Sequence, residues 1–108
     1  MDPNHPDEYR DFLVKIFPSF AEEWEEDEEC LGVHNVFGHF TDYFSCNQKS
    51  FSPEQLAILG DFINKSVRND DVVENAISTC FLEHLVQIGG NRILMPYLDD
   101  LAKKKMHP

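Results

Sequence analysis

Apolar residues recur along the chain at helical spacing, and no stretch alternates for long enough to make a strand. Tyr9, Phe12, Leu13, Ile16 and Phe17 fall at i, i+3, i+4, i+7 and i+8, one stripe of a helix over about residues 7–17 that Pro18 ends. Ser19-Phe20-Ala21-Glu22 has the form of a capping box. It predicts a second helix with Phe20, Trp24 and Leu31 on its apolar side and Gly32 as its stop. Val33, Val36, Phe37, Phe40 and Phe44 mark a third helix. The strongest start signal is Ser52-Pro53-Glu54-Gln55, a capping box with proline in the first turn, flanked by Phe51 and Leu56 as a hydrophobic staple. Leu56, Leu59, Phe62, Ile63 and Val67 carry that helix to about Arg68.

Asp71 and Glu74 suggest a further box, opening a helix over about residues 72–88 that is apolar on most of its circumference. So little polar surface implies packing on several sides, so this helix is expected at the centre of the domain. Gly89-Gly90 ends it. A last segment carries Ile93, Leu94, Tyr97, Leu98 and Leu101, with Pro96 at a helix start or a kink, and Lys103, Lys104 and Lys105 complement its dipole. The expected fold is all-α: one domain over residues 1–108, frayed near 1–5 and 104–108, of five or six short antiparallel helices. These form a bundle or a short repeat-like stack around the helix at 72–88.

Charge changes this picture from a fold to a surface. Twenty acids against nine bases give a formal net charge of −11, and residues 1–50 hold 12 of the acids with only 3 bases. Such a field repels nucleic acid and anionic membranes and attracts cationic surfaces. The imbalance concentrates in Glu22, Glu23, Trp24, Glu25, Glu26, Asp27, Glu28 and Glu29, with no Lys or Arg between Glu22 and Gln48. On a helix Glu22, Glu25, Glu26 and Glu29 share one face opposite Trp24. A charge run is usually a solvated face. A face selected for stability alone would mix signs, so these residues are the candidate docking ridge for a Lys- and Arg-rich protein, with Asp42 and Tyr43 as its extension. Trp24 is an aromatic anchor if exposed and core if buried.

Catalytic and metal signatures are weak. His34 and His39 lie five apart, ~140° around a helix, and so do not share a face as the i, i+4 pair of a zinc helix does. Cys80 and His84 do share one, but no third member accompanies them and a free cysteine commonly packs as a small hydrophobe. The three cysteines are widely spaced and read as reduced thiols. With no basic and apolar leader and no membrane-length apolar run, a cytoplasmic location is expected. No cofactor and no enzymatic activity are expected.

The segment Val73-Glu74-Asn75-Ala76-Ile77-Ser78-Thr79-Cys80-Phe81-Leu82-Glu83-His84-Leu85 resembles small bacterial immunity proteins of polymorphic toxin and contact-dependent growth inhibition systems, over about residues 50–90. The resemblance implies an inhibitor that binds the C-terminal domain of a cognate toxin, often a basic nuclease. Two other readings stand beside it. One is an acidic helical adaptor for a basic protein with no toxin involved; the other is a small metal-dependent enzyme.

Overall fold

Pro6 opens the first helix in the computed structural model, which describes residues 4–25, 28–69, 71–89 and 92–106. Helix α1 spans Pro6–Ile16, with Asp7 and Glu8 in its first turn and Lys15 in its last, each charge set against the helix dipole. It buries Tyr9 and Leu13, and Phe17 is buried just beyond its end. Pro18 then starts a 3-10 turn over Pro18–Glu23.

Among the described residues no α-helix forms where the second was predicted, and only the 3-10 turn stands at its start. Ser19 caps nothing; its hydroxyl bonds the Tyr43 hydroxyl instead. Trp24 is extended, and the described residues from there to Gly32 are non-helical. A helix there would stack carboxylates at i+3 and i+4 with no base to relieve them. It would also bury too little to offset nucleation, because only Trp24, Cys30 and Leu31 in the segment are apolar. Gly32 ends no helix either: its carbonyl accepts the Val36 N–H at the start of α2 (Val33–Asn47).

Helix α2 buries Val33, Val36, Phe37, Phe40, Tyr43 and Phe44. Helix α3 (Pro53–Ser66) begins at the Ser52–Gln55 box with both reciprocal bonds made. Gln55 also donates to the Ile16 carbonyl, which ties the start of α3 to the end of α1. Asp71 accepts the Glu74 N–H, but the Glu74 carboxylate takes Ser78 and Lys105, so only half of that box forms.

Helix α4 covers residues 72–87. It is α-helical over Val72–Ala76 and Glu83–Gln87, with a π-helical stretch over Ile77–Leu82 between them. It stops at Gly89, whose φ of 73° is a backbone conformation glycine adopts at little cost. The predicted last segment divides: Met95–Tyr97 is a 3-10 turn containing Pro96, and α5 (Asp100–Met106) follows. Of the stretch near 104–108 expected to fray, residues 104–106 are described and belong to α5, and 107–108 lie outside the described residues. Met106 is buried and Lys105 pairs with Glu74 at 2.8 Å.

Helices α2 and α4 form the central pair, and contacts run α1 to α2, α2 to α4, α4 to α5, α5 to α3 and α3 back to α1. That closed ring is a bundle and not an open stack, in which each unit would touch only its neighbours. Phe40 anchors the interior, its ring 5.4 Å from Phe17, 5.3 Å from Phe20 and 5.2 Å from Phe81. The radius of gyration of 12.8 Å is what one domain of this length should have. No helix among the described residues is long and apolar enough to cross a membrane.

Candidate functional site

The irregular segment after Pro18–Glu23 is held against the N-terminal part of α1. Glu22, Glu23, Glu25 and Glu29 are exposed and make no ion pair among the described residues; Glu26 and Asp27 lie outside them. Glu28 is half-buried and folds the segment back, its carboxylate accepting the Glu25 N–H at 3.0 Å and meeting His39 of α2 at 3.5 Å.

Carboxylates from two parts of the chain therefore converge. A cleft of about 350 Å³ is lined by Pro6, Asp7 and Arg10 of α1 with Glu28, Glu29 and Cys30. A second, of about 270 Å³, lies between Arg10, Asp11 and Val14 on one side and Ala21, Trp24 and Glu25 on the other. Arg10 stands between the two clefts, bonded to Asp11 and placed 5.7 Å over the Trp24 ring. The local field shows at Cys30. Burial pushes its thiol up from the ordinary value, Arg10 opposes the shift, and Asp7, Asp11 and Glu28 add to it.

Trp24 is half-buried. Its ring packs 5.9 Å from Phe20 and 4.4 Å from His39, and its buried indole N–H has no partner among the described residues. It is the floor of the acidic segment more than a free anchor. Leu31, which the periodicity places on a buried side, is the most exposed large apolar residue among those described, at 85% relative exposure. Asp42 is exposed on α2 and lines a further cleft with Asn35, Gly38, His39 and His84. Through His39 it continues the acidic surface. Tyr43 does not: it is 4% exposed and packs on Phe17 and Phe20, so it is core.

The histidines find partners that sequence spacing did not indicate. His39 joins Glu28 and Trp24, whereas His34 Nδ1 lies 3.2 Å from Cys80 Sγ. His84, four residues after Cys80, is exposed on the Asp42 cleft. The His34–Cys80 contact joins residues 46 positions apart, which no local pattern reveals. Among the described residues no three His, Cys, Asp or Glu side chains gather as metal ligands would.

A family model described as a domain of unknown function, DUF7674, matches residues 10–107, and the chain belongs to that family. No curated protein and no solved structure matches the chain.

Proposed function

We propose that this member of the family is a binding protein of the immunity type, whose acidic face takes up the basic surface of a toxin domain. A nuclease is the partner whose chemistry suits it best, because a nuclease cleft presents Lys, Arg and His to phosphates, and carboxylates can occupy the same field. One observation carries the reading. Asp7 and Asp11 of α1 share two clefts with Glu25, Glu28 and Glu29, and the neighbouring Glu22, Glu23 and Glu29 have no cation paired to them among the described residues.

Leaving carboxylates unpaired forgoes stabilising pairs within the chain. It retains a long-range field that steers a cationic partner, raising association towards ~10⁸ M⁻¹s⁻¹ at low salt. Leu31, exposed beside Glu29 and Cys30, is the apolar contact that would slow dissociation once the partner is seated.

The test is inhibition of a basic toxin nuclease domain encoded beside this chain's gene, with association rates measured at low and high salt. The double substitution Glu25→Lys, Glu29→Lys should slow association by roughly tenfold or more, and Leu31→Ala should mainly speed dissociation. Association that salt and charge reversal both leave unchanged would remove the acidic face from the mechanism. Tight binding to a basic protein without inhibition of any nuclease would favour the adaptor reading.

A further inference from the structure

We propose that Cys80 and His34 form a nucleophilic thiol–imidazole pair, a site of oxidation by small neutral peroxides. Cys80 lies within the π-helical stretch Ile77–Leu82, and π-bulges occur frequently at functional sites. Its backbone is pinned to α2 by the Thr41 hydroxyl, which donates to the Cys80 carbonyl. Seven residues earlier on the same helix, two turns away, His34 brings Nδ1 to 3.2 Å from the sulfur. Two α2 side chains thus hold one residue, one at its carbonyl and one at its thiol.

The chemistry follows from that contact. With its proton on Nε2, the His34 ring presents Nδ1 as an acceptor to the thiol. The thiolate is the nucleophile in such reactions, and an adjacent base activates it. The sulfur attacks one peroxide oxygen; the S–O bond forms as the O–O bond breaks. Sulfur is oxidised by two electrons to the sulfenic acid and the peroxide is reduced. The thiol proton passes through His34 to the departing oxygen, which leaves as water when hydrogen peroxide is the oxidant.

Size and charge select the reagent. Cys80 is half-buried, which favours a compact reagent over a bulky one without closing the sulfur off, and the net charge of −11 disfavours anionic oxidants. The other two thiols differ from it in ways that make them controls. Burial pushes the Cys30 thiol up from its ordinary value, Arg10 opposes the shift, and Asp7, Asp11 and Glu28 add to it. Cys46 is exposed, and among the described residues its thiol has a long Ser45 contact of 4.0 Å and no imidazole.

The experiment exposes the whole reduced chain to hydrogen peroxide with dimedone, and reads sulfenic acid at each cysteine by peptide mass spectrometry. Cys80 should label fastest and Cys30 slowest. His34→Ala should cut the Cys80 rate by about tenfold or more, a modest share of what a positioned proton acceptor contributes, and leave Cys46 unchanged. Added imidazole should restore part of the loss. His34 is exposed in the first turn of α2, so the variant is expected to fold, and circular dichroism checks that it does. Labelling of Cys46 as fast as Cys80, an unchanged Cys80 rate in His34→Ala, or a loss that imidazole does not restore would each overturn the assignment.

Discussion

Two glycines inside helices should respond in opposite senses to the same substitution. A β-carbon at Gly60 of α3 would lie 2.6 Å from both the β-carbon and the carbonyl oxygen of Tyr97. Ordinary contact needs roughly 3.5–4.0 Å between carbons. The obstacle includes backbone, so no rotamer change relieves it, and the 95–97 turn must retreat by about 1 Å. That turn is fastened to α3 by Asn64, which donates to the Tyr97 carbonyl at 3.1 Å and accepts the Asp99 N–H at 2.9 Å.

Overpacking costs about 1–3 kcal/mol, and two weakened hydrogen bonds about 0.5–1.5 kcal/mol each. Alanine returns about 1 kcal/mol of helix propensity. Gly60→Ala should therefore lose about 3 kcal/mol net, a sizeable part of a stability of about 5–15 kcal/mol. At Gly38 of α2 a β-carbon meets nothing within 4 Å, so Gly38→Ala should gain up to about 1 kcal/mol from propensity alone. Urea unfolding followed by circular dichroism and by Trp24 fluorescence measures both. A Gly60→Ala protein within about 0.5 kcal/mol of the parent would show that the close approach of α3 to the 95–97 turn is not a constraint, since surface substitutions away from special features fall in that range.

Thr41→Val keeps the side-chain shape but deletes the hydroxyl that reaches the Phe37 and Cys80 carbonyls. It should cost about 1–3 kcal/mol and speed amide exchange over residues 77–82 more than in α3; uniform exchange would refute a pinned π-helical stretch. The Asp99 carboxyl is held below the ordinary carboxylate range, first by the Ala102 N–H it caps and then by Arg68 at 2.6 Å. Because its folded pKa is depressed, its contribution is present above the unfolded value of 3.8 and is lost as pH falls through the folded one. Thermal melts from pH 5 downward should therefore show a steeper acid loss in the parent than in Asp99→Asn; parallel curves would remove Asp99 from the acid response.

Local pattern was sufficient for the helices whose apolar stripe and start signal agree. The Tyr9–Leu13–Phe17 stripe, the Ser52–Gln55 box and the broad apolar face after Asp71 correspond to α1, α3 and α4, and α4 does lie at the centre. Such signals act over one or two turns, so they are legible without the rest of the chain. The acidity of residues 22–29 was equally plain, but its shape was not. A capping box at Ser19 competed with carboxylate repulsion and with the pull of Tyr43 on the Ser19 hydroxyl, and the tertiary contact prevailed. That outcome exposed Leu31, folded Glu28 back onto His39, and brought the acids of α1 and of the segment to common clefts.

The Cys80–His34 contact, the π-helical stretch and the helix through Met106 belong with these. Each depends on groups far apart in the chain, and a one-dimensional pattern cannot say which distant side chain will satisfy a carbonyl, a thiol or a buried face. Local pattern alone specifies an acidic all-helical chain with a set of candidate helix starts. The tertiary structure decided which of those starts were used, and which side chains the closed bundle brought together.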